Sequence, residues 1–145
     1  MRYFILCFLL ICLFFVAGCT KTKDCGDDVK CFGEEIKDCS KAKVYVSNEG
    51  NKIKVTSKGL SKDECRVSLR IEEVGWKLKE DYPTESFIAK GKTLNCNIPI
   101  KENYSEAIQN LENYFDESCS GPIKDLLDGR FGEVIKKEIK QSLKF

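Results

Sequence analysis

"AKVYVSNEGNKIKVTSKG", residues 42–59, decides how the chain is read. Val44 and Val46 alternate with polar neighbours, and so do Ile53 and Val55. Between the two runs lies Asn48-Glu49-Gly50-Asn51, a cluster of turn formers. Period-two alternation on both sides of such a turn predicts a β-hairpin with one covered face and one wet face.

The pattern extends outward from there. "CRVSLRIEEVGW" (65–76) turns Cys65, Val67, Leu69 and Ile71 to the covered side and Arg66, Ser68, Arg70 and Glu72 to the wet side. "FIAKGKTLNCNIPI" (87–100) resumes with Leu94, Cys96, Ile98 and Ile100 inward, and Pro99 suits an edge or a strand end. Between them, "WKLKEDYPTES" (76–86) is polar and broken by Pro83, which predicts a long exposed loop.

Helical periodicity flanks the strands. "DDVKCFGEEIKDC" (27–39) places Val29, Phe32, Ile36 and Cys39 on one side, with Asp27 or Asp28 as cap. "NYSEAIQNLENYFDESC" (103–119) opens on Asn103 with Glu106 three residues on and carries Ile108, Leu111, Tyr114, Phe115 and Cys119 as a stripe. Ser120-Gly121-Pro122 closes it. "FGEVIKKEIKQSLKF" (131–145) aligns Val134, Ile135, Ile139 and Leu143. The expected fold is therefore α+β: an antiparallel sheet of about four strands, helices packed on one face, stapled by disulfides.

Composition narrows the chemistry. The chain has 145 residues, suited to one domain, with Lys+Arg 24 against Asp+Glu 23. That balance gives no electrostatic case for nucleic acid or for an anionic membrane surface. There is no histidine, so the commonest general base and the usual zinc partner are missing. The acidic pairs Asp27-Asp28, Glu34-Glu35 and Glu72-Glu73 sit on neighbouring positions that diverge, and read as solvated surface. The same holds for Lys136, Lys137, Lys140 and Lys144 opposite the apolar side of the last helix. No catalytic constellation, cofactor motif or metal-ligand spacing emerges, and the expectation is a non-enzymatic protein with no cofactor and no metal.

The amino terminus gives an address. After Arg2, Tyr3 to Ala17 is an uncharged apolar run of 15 residues, which as a helix spans roughly 22 Å, short of the roughly 30 Å hydrocarbon core. A signal peptide over 1–18 fits better than a spanning helix. The ending Val16-Ala17-Gly18-Cys19 resembles the lipobox of prokaryotic membrane lipoproteins. The resemblance implies cleavage before Cys19, a diacylglyceryl thioether on its sulfur, and a tether to the extracytoplasmic face of a membrane. Residues 19–24 then form a short spacer, and 25–145 the cysteine-rich domain.

Of nine cysteines, Cys25, Cys31, Cys39, Cys65, Cys96 and Cys119 remain after Cys7, Cys12 and Cys19 are set aside. An even number in an exported chain reads as disulfides. Cys31 and Cys39 stand too far apart along a helix to bridge. Cys65 and Cys96 share the covered side of the sheet, which favours Cys65–Cys96 and leaves Cys25–Cys31 and Cys39–Cys119. A competing set joins Cys25 to Cys119 and staples the first helix to the sheet through Cys31 and Cys39. A different class of reading makes Cys25 and Cys31 a redox or metal-handling pair, with one sulfur near a helix amino terminus. A small inhibitor of an envelope enzyme is a further alternative.

Two further positions stand out. Trp76, the single tryptophan, and Tyr82 form a candidate contact loop for a protein or small-molecule partner, against which stands the folding of Trp76 back over the sheet edge as core. Asn103-Tyr104-Ser105 fits the N-glycosylation pattern, against which stands the simpler role of Asn103 as a helix cap.

Overall fold

The structure is a computed structural model that describes residues 21–99 and 103–144. Cys19, the apolar run before it and Ile100 lie outside the described residues. The fold is α+β, with six strands in one sheet, six α-helices among the described residues and three disulfides. The strands are β1 (Lys23–Asp24), β2 (Ala42–Asn48), β3 (Asn51–Ser61), β4 (Glu64–Glu73), β5 (Thr93–Pro99) and β6 (Cys119–Ser120), and they lie side by side in chain order.

The sheet is mixed, which corrects the expected four antiparallel strands. β2 to β6 run antiparallel, but β1 pairs with β2 in parallel, Lys23 beside Ala42 and Asp24 beside Lys43. Both added strands are only two residues long. A pair of residues carries no alternation, so period-two reading has nothing to detect.

Alternation in the four long strands translates directly into burial. Val44, Val46, Ile53, Val55, Cys65, Val67, Leu69, Ile71, Leu94, Cys96 and Ile98 are all buried in one continuous core. Helix α1 (Val29–Ile36) covers β2 with Phe32 and Ile36; the Asp28 carboxylate caps it by accepting from Cys31 N at 3.0 Å. Helix α6 (Arg130–Ser142) also lies against β2, with Phe131, Ile135 and Ile139 inward.

Two segments depart from the expected elements. Residues 76–89 are a pair of short helices, α2 (Trp76–Asp81) and α3 (Pro83–Ala89), instead of a loop. The expected single helix over 103–119 is divided into α4 (Tyr104–Gln109), a 3-10 turn (Leu111–Tyr114), α5 (Phe115–Ser118) and then β6. The break falls at Asn110, whose side-chain amide donates to the Glu106 carbonyl at 3.1 Å and whose backbone leaves the helical region. Asparagine favours such ends because its side chain competes for local backbone partners. The apolar residues of the expected stripe still go inside, since Ile108, Leu111, Phe115 and Cys119 are all buried.

The disulfides join Cys25 to Cys31, Cys39 to Cys65 and Cys96 to Cys119. Cys65–Cys96 and Cys39–Cys119 are therefore corrected, as are the alternative Cys25–Cys119 bridge and the staple through Cys31, while Cys39 does join the sheet. Cys65 lies opposite Ile98, and Cys96 opposite Val67. The two cysteines share a face but stand on a diagonal, where neighbours are about 7–8 Å apart, beyond the usual disulfide span. Cys119, placed on a strand and not a helix, falls directly opposite Cys96. Cys39 comes three residues after α1 ends, with a left-handed φ of 54° that turns the chain back to the sheet, where it meets Cys65.

Candidate contact site at the far end of the sheet

The sheet has two distinct ends. β1 enters beside the start of β2, so the amino-terminal side of the domain lies at that end, with the β3–β4 turn. The β2–β3 turn, the end of β4 and the start of β5 lie at the other, which is where α2 and α3 are inserted. Seven residues of β2 separate the two ends by about 23 Å.

Close backbone contact holds this helical hairpin in place. Gly75 packs so tightly on the β2–β3 turn that a Cβ there would stand 2.4 Å from the Glu49 carbonyl oxygen. Its N–H donates to Asn51 Oδ1 at 2.7 Å, a backbone partner supplied by a buried side chain at the start of β3. The Ser86 hydroxyl donates to the Leu78 carbonyl at 2.9 Å and ties α3 to α2. Pro83 sits in the first turn of α3, where its missing N–H costs nothing. Tyr82, between the helices, meets Phe131 of α6 edge-on at 5.9 Å.

This anchoring leaves the larger apolar side chains outside. Leu78, Ser86 and Ala89 point inward, whereas Trp76 is 72% exposed, Phe87 86% and Ile88 43%. Among the described residues, the large exposed hydrophobics are these three and Leu60. Single exposed apolar residues are ordinary, but three fall within one fourteen-residue insert, and apolar side chains left exposed in one region mark candidate contact surfaces. Of the two sequence candidates, Trp76 is one of these three and Tyr82 is half-buried in packing.

Beside the hairpin, α2, the β2–β3 turn and α6 enclose a polar cleft of about 380 Å³. Glu49, Lys77, Asp81, Tyr82, Lys137 and Glu138 line it. Glu138 is buried, and its Oε2 accepts from the Asn48 side-chain amide at 2.7 Å. Such walls offer both signs of charge to a polar ligand or to the polar rim of a partner. Among the described residues, no group of three or more His, Cys, Asp or Glu is placed to hold a metal ion.

Asn103 caps α4, its Oδ1 accepting from Ser105 N at 3.0 Å. The lysines of α6 are ordinary surface: Lys136 pairs with Glu133 at 3.3 Å, and Lys137 borders the cleft. Sequence reasoning missed Phe87 and Ile88, which it read as the start of a strand. The available signal was Pro83, a residue suited to a first helical turn. No protein-family model matches the chain, and neither does any curated protein or solved structure compared with it.

Proposed function

We propose that the chain is a lipid-anchored, disulfide-stabilised binding protein on the extracytoplasmic side of a membrane, non-enzymatic, that engages its partner through the α2–α3 hairpin. The observation that carries this reading is the exposure of Trp76 and Phe87 at the sheet end opposite the amino-terminal entry. Tethered through Cys19, with three residues between it and β1, the domain holds that patch at the sheet end away from the tether. Two acyl chains bind a bilayer far more firmly than one. Three bridges suit an oxidising compartment and stabilise a small domain by restricting its unfolded chain.

The test is intact-mass analysis of protein extracted from membranes, before and after reduction. The expected species begins at Cys19, carries a diacylglyceryl group, and takes up the hydrogens of three disulfides on reduction. A full-length chain recovered from cytosol with titratable thiols removes the reading. Two free thiols confined to Cys25 and Cys31 turn it toward redox chemistry.

A further inference from the structure

The wet face of the sheet gathers more cations than carboxylates, although the chain as a whole is nearly balanced at a formal +1. Alternation turns Lys43, Lys52, Lys54, Lys58, Arg66 and Arg70 outward across β2, β3 and β4, with the carboxylates Asp24, Glu64, Glu72 and Glu73 among them, Glu73 lying opposite Lys52. Asp24 is taken by Lys43 at 2.8 Å, and Glu72 by Arg70 at 3.5 Å. Lys58 donates to the neutral Asn95 at 3.0 Å. Lys52 and Lys54 both lie over the Tyr45 ring, 5.2 and 5.7 Å from its centre. Among the described residues, neither pairs with a carboxylate within 4.0 Å.

The register makes this arrangement costly in isolation. Lys54 lies directly opposite Arg70, and like charges facing each other across strands destabilise a sheet. An anionic surface laid against this face relieves that repulsion. The charge is spread over three strands of a sheet face, which suits an extended layer of anions. β1 is the neighbour of β2, and its first residue follows Cys19 by four positions, a reach of at most about 14 Å.

We propose that the open face of the sheet docks on anionic phospholipid headgroups of the membrane that holds the chain's own lipid. This rests on the tether reading above. Basic side chains near an anionic leaflet gain Coulomb attraction that salt screens, and the tether keeps the face within range. The helical layer then points away from the bilayer, and the α2–α3 patch stays free at the side.

Lysine footprinting tests this on the full acylated protein, bound to vesicles of phosphatidylcholine alone or with one part in three phosphatidylglycerol. Amines are acylated briefly and read by mass spectrometry. Lys52, Lys54 and Lys58 are expected to react several-fold more slowly on the anionic vesicles, and 1 M salt should erase the difference. Lys77, Lys79 and Lys90, on or beside the hairpin, should react alike on both. The double variant Lys54→Gln, Arg70→Gln should keep its fold and lose the protection of Lys52 and Lys58. Equal rates on both vesicles with the protein bound to each overturn the docking face and leave the tether standing. Protein free in the phosphatidylcholine sample yet protected on anionic vesicles supports the face and removes the tether. Protection by duplex DNA or an acidic polysaccharide without protection on vesicles overturns the proposal in favour of a polymer.

Discussion

Two pairs of helices in this molecule use apolar residues in opposite ways. On α1 and α6 the large side chains Phe32, Ile36, Phe131, Ile135 and Ile139 face the sheet and are buried. On α2 and α3, the small Ser86 and Ala89 face inward beside Leu78, while Trp76, Phe87 and Ile88 face water. Burial of apolar area is what makes short helices stable in a protein. The first pair obtains its stability that way. The second is held mostly by particular contacts, namely the Gly75–turn packing, the Asn51 and Ser86 hydrogen bonds and the Tyr82–Phe131 ring pair. The difference is that the hairpin leaves its large residues outside the core, where those of α1 and α6 are buried.

The sharpest break of that comparison is one substitution made in both places. Phe32 is completely buried, so Phe32→Ala removes a whole ring and leaves a cavity, at a cost of about 3–5 kcal/mol. That is a large share of the roughly 5–15 kcal/mol a domain possesses. Urea unfolding should show the midpoint falling steeply, or no cooperative transition at all. Phe87→Ala, the same chemistry on α3, should leave the midpoint almost in place. Equal effects from the two would mean that Phe87 is core.

A smaller effect is expected at the joint between the hairpin and the sheet. Gly75→Ala introduces a methyl at 2.4 Å from the Glu49 backbone oxygen, so the β2–β3 turn or α2 must move. Overpacking of this kind costs about 1–3 kcal/mol. Hydrogen exchange is the measurement of choice. Amides of α2 and α3 should open more readily, while those of β3 and β4 keep most of their protection, since local opening need not involve the whole domain. Uniform loss of protection would mean that the hairpin is as integral to the fold as α1.

The sheet face was legible in the sequence, but its register was not. Alternation placed Val44, Val55, Cys65, Leu69 and Cys96 inside, and each is buried. It is a statement about faces, and two residues on one face can still lie on a diagonal, which is why Cys65 and Cys96 do not bond. Cys119 was misplaced for another reason. The run around Ile108, Leu111 and Phe115 has helical spacing, yet the helix breaks at Asn110 and the chain turns extended at Cys119. The hairpin was hidden because helix recognition looks for apolar residues that face a core. Here they face water, and two helices of six and seven residues are too short to show a period. The cationic face was hidden by the chain-wide balance of charge, which cannot register charges segregated by strand pleating.

The smallest expected effect on stability bears most directly on function. Trp76→Ser with Phe87→Ser removes two rings that the fold leaves 72% and 86% exposed. Exposed substitutions of this sort change stability by about 0.5 kcal/mol or less, so the unfolding midpoint should stay within experimental error. Trp76 is the single tryptophan, so the wild-type chain offers an independent reading of the same surface. Its emission should already be that of a water-exposed indole, should quench readily with acrylamide, and should shift little on unfolding. A blue-shifted, protected emission in the full-length protein would mean that the patch is covered, by a second copy or by the membrane. Comparing quenching on vesicles with quenching in detergent separates those two, because a membrane cover is lost on solubilisation and a firm dimer is not. An unchanged midpoint together with an accessible indole leaves a surface that contributes little to folding, and exposed aromatic area in that position is what a binding partner uses.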